Sequence, residues 1–189
     1  KRFEKVDFRG GEENDMPEQG AFSVEADRAV VKGLQDSMIR AFGPAVIRQK
    51  CEGKPKVVNL SQKMLLAEHM PVLARQIEGG ALAECTLLHL NGNSIGDEGA
   101  KALASALRVN GVLTELQLGY NNIGPTGATA LADALKVNAV LKTLELSSNN
   151  LCKGKGMFGR EIHTAKGVKA IASALKVNAV LKELSLWSS

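Results

Sequence analysis

Aromatic side chains are scarce in this 189-residue chain: they make up 4%, with one Trp and one Tyr. Such a core has to be built from small and branched aliphatic side chains. That points away from an aromatic-filled sandwich and toward something thin and regular. Long hydrophobic runs are missing too. No stretch approaches the ~18 consecutive apolar residues of a membrane span. The three cysteines, Cys51, Cys85 and Cys152, are too few and too scattered for a disulfide framework. Their odd number points to a reducing compartment, either cytoplasm or an organelle interior reached after removal of a targeting segment. No signal-peptide pattern is visible, and the chain opens on Lys1, as a fragment or processed form would. The net charge of +4 is too small to imply nucleic acid.

What the chain does have is repetition. Ala134-Leu-Lys-Val-Asn-Ala-Val-Leu-Lys142 recurs unchanged at 174–182, and a near copy occupies 106–114. In register, the units read Cys85-x-x-Leu88-x-Leu90-x-x-Asn93-x-Ile95 and Leu113-x-x-Leu116-x-Leu118-x-x-Asn121-x-Ile123. Leu141-x-x-Leu144-x-Leu146-x-x-Asn149-x-Leu151 follows, then Leu181-x-x-Leu184-x-Leu186. The starts lie 28, 28 and 40 residues apart.

The two leucines of Leu-x-Leu share one face of a short strand. After Ile95 the period changes: Ala100, Leu103, Ala104 and Leu107 form one helical stripe. A lone strand–helix unit cannot cover its own apolar edges, so the units must stack. Strands stack at about 4.8 Å and helices at about 8–10 Å, which bends the stack with its parallel sheet on the concave side. Asn93, Asn121 and Asn149 fall where the chain leaves each strand, where an inward amide satisfies backbone groups that the turn leaves unpaired. Their expected role is structural.

The pattern resembles leucine-rich repeats. The 28-residue spacing and the tail Gly-x-x-Gly-Ala-x-x-Leu-Ala-x-Ala-Leu are similar to the ribonuclease-inhibitor-like subfamily. That group includes ribonuclease inhibitors, the sensor regions of NOD-like receptors and activators of the Ran GTPase. The resemblance implies an α/β fold: a right-handed β-α superhelix with a short curved parallel sheet and outer helices. It is specific for fold and nearly silent on function.

Upstream, Val58-x-Leu60-x-x-Lys63-x-Leu65 fits the template with Lys in the Asn slot. Its helix is expected over about 67–77, with Pro71 awkward in its interior. Phe3-x-x-Val6-x-Phe8 matches loosely and suggests an outermost strand at 6–8, followed by a loop over 10–22. Ser23 would cap a helix over about 24–42 that Gly43-Pro44 stops. The expected division is an N-terminal segment and helical cap over 1–55 and repeats over 56–189, with units starting near 55, 85, 113, 141 and 181. The last unit begins with a strand and has no helix behind it, so a longer protein or another cover for that edge is expected.

No catalytic constellation emerges. His69 reads as a surface or boundary residue. Cys85 and His89 have a ligand-like spacing, yet Cys85 replaces a core leucine, and a metal needs about four ligands. Neither metal nor cofactor is expected. Residues 152–166 form an insertion of fifteen residues where the preceding repeat has three. Over 152–169, five cations face one carboxylate, a surplus equal to the whole net charge. Gly154-x-Gly156-x-x-Gly159 resembles a dinucleotide fingerprint but neither directly follows a strand nor opens a helix. Two readings stay open: a plain basic loop, or a docking loop with Met157 and Phe158 as an apolar anchor framed by Lys153, Lys155 and Arg160.

The residues flanking the strand leucines should form a polar, mildly acidic concave face. It carries His89, Glu115, Gln117, Glu145 and Glu183, together with the chain's one Tyr and one Trp, Tyr120 and Trp187. Tyr and Trp are enriched among interface hot spots, although a solvated sheet also tolerates them. The reading is a non-catalytic scaffold that binds protein partners, as an accessory or structural subunit of a larger assembly. The alternative is a ligand-sensing or regulatory fragment of a longer NOD-like-receptor-type or GTPase-regulator protein.

Overall fold

The Leu-x-Leu segments become strands stacked in parallel. The computed structural model describes residues 24–155 and 161–187. The expected strand at 6–8 and the Ser23 cap lie outside them. The chain divides into two units, residues 1–35 and 36–189. The first contributes the opening turns of helix α1 (Val24–Cys51), where Val30, Val31 and Leu34 are exposed.

From Asp36 on, α1 leads into the repeats. In chain order these are β1 (Val57–Asn59), a 3-10 turn (Ala67–His69), α2 (Met70–Glu78), β2 (Leu87–His89), α3 (Gly96–Val109), β3 (Glu115–Gln117) and α4 (Pro125–Leu135). Then come β4 (Thr143–Glu145), β5 (Lys153–Lys155), β6 (Glu161–His163), α5 (Lys166–Leu175) and β7 (Glu183–Ser185). The main sheet runs β1-β2-β3-β4-β7, all parallel, and aligns Val58, Leu88, Leu116, Leu144 and Leu184 in one row. Helices α2 to α5 pack side by side behind it. This is an α/β leucine-rich-repeat solenoid, and the alignment of the repeats matches the register of the main sheet.

One apolar cluster runs from Val46 to Ala174, with Leu88, Leu90, Leu116, Leu118, Leu144 and Leu146 all buried. Each such leucine contributes roughly 1.5–3 kcal/mol. The glycines of the tail let the helices lie close. A Cβ on Gly127 would come within 2.9 Å of the Ala100 Cβ and the Ile123 Cγ2. Asp97 links neighbouring units: its Oδ1 accepts from the N–H groups of Gly124 (2.7 Å) and Gly127 (2.8 Å), capping the start of the next helix, α4.

Three sequence expectations fail near the first repeat. Gly43-Pro44 does not stop α1, which continues to Cys51. Proline removes one helical hydrogen bond at a cost of about 3 kcal/mol. Burial of Val46, Ile47 and Cys51 in the common core offsets it. His69 is a core residue, 1% exposed. Its Nδ1 accepts from the Leu66 N–H at 3.0 Å, and Gly43 sits so close to the ring that a Cβ there would overlap it. Pro71 is not interior: the helix proper starts at Met70, so Pro71 occupies its first turn, where its missing N–H has no intrahelical partner to lose. In the insertion, β5 and β6 pair antiparallel, which places Lys153 opposite His163 and Lys155 opposite Glu161. The expected loop is thus a hairpin at its base.

Candidate functional site

Each strand turns its middle residue inward and its outer two to the side away from the helices. Because the register is parallel, these outer residues form two rows. One reads Val57, Leu87, Glu115, Thr143, Glu183; the other reads Asn59, His89, Gln117, Glu145, Ser185. Neighbouring members of a row lie about 4.8 Å apart.

The polar groups of this open face are wired to one another. Gln117 is the hub: its Oε1 lies 2.6 Å from His89 Nδ1 and accepts from Asn91 Nδ2 at 3.1 Å. Its Nε2 donates to Glu115 Oε1 at 2.7 Å. Thr143 Oγ1 donates to Glu183 Oε2 at 3.4 Å. Glu145 folds back onto the sheet, where it accepts from the N–H groups of Gly119 (2.9 Å) and Ser147 (2.8 Å). Gly119 and Ser147, which directly follow the strand leucines Leu118 and Leu146, are buried. The face therefore holds His89, Glu115, Gln117, Glu145 and Glu183 together, with Glu145 partly spent on its own backbone. A carboxylate accepts through several lone pairs, so all three acids keep capacity for an incoming cation.

Tyr120 and Trp187 lie on the margin where the strands end, 66% and 76% exposed. Tyr120 has φ 55°, as do its counterparts in other repeats: Gln62 (55°), Gly92 (67°) and Ser148 (54°). This left-handed turn costs a side-chain-bearing residue about 1–2 kcal/mol and throws the side chain outward.

Behind the face runs the asparagine ladder. Asn93 Nδ2 donates to the carbonyls of Leu60 (2.9 Å) and Leu90 (2.7 Å), and its Oδ1 accepts from the N–H groups of Lys63 and Leu65, each at 3.0 Å. Asn149 does the same one unit pair along, with Leu118, Leu146, Asn121 and Ile123. Asn121 makes the donor half, to Leu90 and Leu118, but its Oδ1 is buried without a partner. In the unit it faces, Gly96 has φ 59° and gives its N–H to the main-chain oxygen of Asn121 instead.

A second ladder escaped sequence reasoning. Asn138 donates to the carbonyls of Leu107 and Asn110, and Asn178 to those of Leu135 and Asn138. Each closes its own turn by accepting from the residues two and three further on, as Asn110 also does. The signal was the invariant Asn inside the repeated Val-Asn-x-Val-Leu phrase.

Cys85 and His89 do not converge. The Cys85 thiol is buried and donates to the Leu87 carbonyl at 3.3 Å, while His89 lies on the open face. Burial pushes the thiol of Cys51 up to about 11 and that of Cys85 in the same direction, keeping both protonated. Among the described residues no group of three or more His, Cys, Asp or Glu is placed to hold a metal ion, and no helix is long and apolar enough to cross a membrane. In the insertion, Lys153 is exposed and Lys155 belongs to β5, whereas Met157, Phe158 and Arg160 lie outside the described residues.

A parallel sheet backed by helices, locked by asparagines at the exits of β2, β3 and β4 and left open on its other face, is a leucine-rich-repeat fold. The comparisons agree: a family profile described as Leucine Rich repeat matches residues 86–104 and 109–132. A solved structure of Leiomodin-1 Actin-Binding Site 2 (ABS2) is 25% identical, with a TM-score of 0.60 and 77% of each chain covered. The tropomodulin C-terminal domain from Caenorhabditis elegans is 16% identical, with a TM-score of 0.56 over 79% of this chain and 82% of that one, a likeness of fold alone. A comparison with curated proteins finds no match.

Proposed function

We propose that this chain is a non-catalytic protein-interaction scaffold whose partner docks on the open face of the sheet. The supporting observation is an ordered group of three carboxylates spread over the two rows. Glu115, Glu145 and Glu183 are each held by a hydrogen bond within the face, so little side-chain entropy remains to be lost when a partner's Lys or Arg arrives. Tyr120 and Trp187 supply exposed aromatic surface at the margin of the same sheet, the residue types that dominate interface energetics. The insertion, with Lys153, Lys155, Met157, Phe158 and Arg160 in its sequence, is a second contact in the same proposal. The division into a cap over 1–55 and repeats over 56–189 is part of it, as is membership of the ribonuclease-inhibitor-like subfamily, whose support is the 28-residue spacing.

The finer reading is a subunit of a larger assembly. Actin is the first candidate partner, because the Leiomodin-1 region of similar fold is named for binding it.

Co-sedimentation with actin filaments, and calorimetry with any partner recovered from native material, test the reading. Tyr120→Ala with Trp187→Ala is expected to weaken binding by more than about 1 kcal/mol, and Glu115→Lys with Glu183→Lys to weaken it further. Affinity unchanged in both double variants would remove the site from this face.

A further inference from the structure

A second surface lies on the first repeat, away from Glu115, Glu145 and Glu183. Its components come from the stretch of α1 in the repeat-bearing unit and from the turn after β1. Met38, Ala41, Phe42 and Ala45 recur at helical spacing along α1 and, with Met64, wall an open groove of about 710 Å³. That volume is in the range of sites that accept several apolar groups. Met38 is 72% exposed, Phe42 61% and Met64 68%. Three large apolar side chains gathered around one groove form a patch of the kind that marks interaction sites.

Met64 is the informative residue. In the repeat register its counterparts are Ser94, Asn122 and Asn150, all polar. The backbone leaves Met64 little choice of direction. It has φ 53°, and Asn93 Oδ1 holds the N–H groups on both sides of it, Lys63 and Leu65. So the one repeat against which α1 lies is also the one that replaces a polar surface residue with an outward methionine. Methionine is flexible and polarizable, and suits a surface that adapts to an apolar ligand. Small Ala41 and Ala45 between the bulky residues leave room for a helix to approach at about 8–10 Å. The groove's one charged wall is Lys63, which makes no ion pair among the described residues, whereas Arg40 nearby on α1 is already matched by Glu68 at 3.2 Å.

We propose that this groove binds an amphipathic helix of a partner protein, with its apolar stripe on Met38, Phe42 and Met64 and a carboxylate at its edge on Lys63. The interaction is helix-in-groove recognition, independent of the sheet face.

The test uses the full chain and a fluorescein-labelled synthetic amphipathic peptide, roughly four helical turns long, made in two forms with Glu or Lys beside the leucine stripe. Anisotropy is expected to show the Glu form binding about three- to tenfold more tightly than the Lys form, at a salt concentration held constant. Lys63→Glu should reverse that order, and Met38→Glu with Phe42→Ser should abolish binding of both forms. All three side chains are exposed, so circular dichroism should be unchanged in every variant. Failure of both peptides to bind, or equal binding by wild type and the Met38→Glu, Phe42→Ser variant, would overturn the proposal. Sedimentation of the wild type as a dimer that Met38→Glu dissolves would overturn it in another way, by assigning the groove to a second copy of this chain.

Discussion

The inner repeats and the first repeat follow the same template and solve different problems. Between β2 and β4 the template leucines are buried, asparagines lock the turns, and the outer residues are polar except Leu87. In the first repeat the Asn slot holds Lys63, the next exposed position holds Met64, and the covering helix runs through Gly43-Pro44. An inner repeat has a strand–helix unit of the same template on each side. The first repeat meets α1, a helix of unrelated sequence, and its departures cluster where that helix passes. The contrast teaches that regularity in a solenoid reports on what lies next door, and that a break in it marks a change of neighbour.

That contrast can be broken by mutation. The largest expected effect is at Leu144, 1% exposed between two strands. Leu144→Ala should cost about 2–5 kcal/mol in denaturant unfolding, and Leu184→Ala, half-buried in β7, clearly less. Equal losses would mean that burial does not fall off along the stack. Next comes the ladder. Asn93→Ala removes two donor and two acceptor bonds and should cost about 2–3 kcal/mol; Asn121→Ala, whose Oδ1 is already unpartnered, about 1 kcal/mol less. A reversed order in thermal melts would sink the account of the broken ladder. The smallest effect has the opposite sign. Tyr120→Gly relieves a left-handed residue and should stabilise the fold by about 0.5 kcal/mol even as it removes a proposed binding side chain. A variant that loses both stability and binding would show that Tyr120 is held by packing.

Much of this molecule is legible in its sequence. Leu88, Leu116, Leu144 and Leu184 could be aligned from spacing alone because a parallel sheet copies the repeat period into its register. The composition of the open face followed from the same alternation. Its wiring did not. That Glu145 turns back to cover Gly119, and that Gln117 reaches His89, depends on groups meeting across strands, 26 and 28 residues apart. His69 was misjudged for the same reason: what buries it is Gly43, on another element, and no local pattern announces such a pairing.

The sequence by itself determined the unit of structure, the number of inner strands, their register and the polarity of each row, because all of these repeat with the chain. Only the tertiary structure decided how the first repeat is covered, which carboxylate is partly withdrawn from the open face, and where apolar side chains stay uncovered. Those outcomes come from contacts made once, between unlike segments. Their energies of a few kcal/mol are enough to carry a helix through a proline or to bury a histidine, and nothing in the repeat period records them.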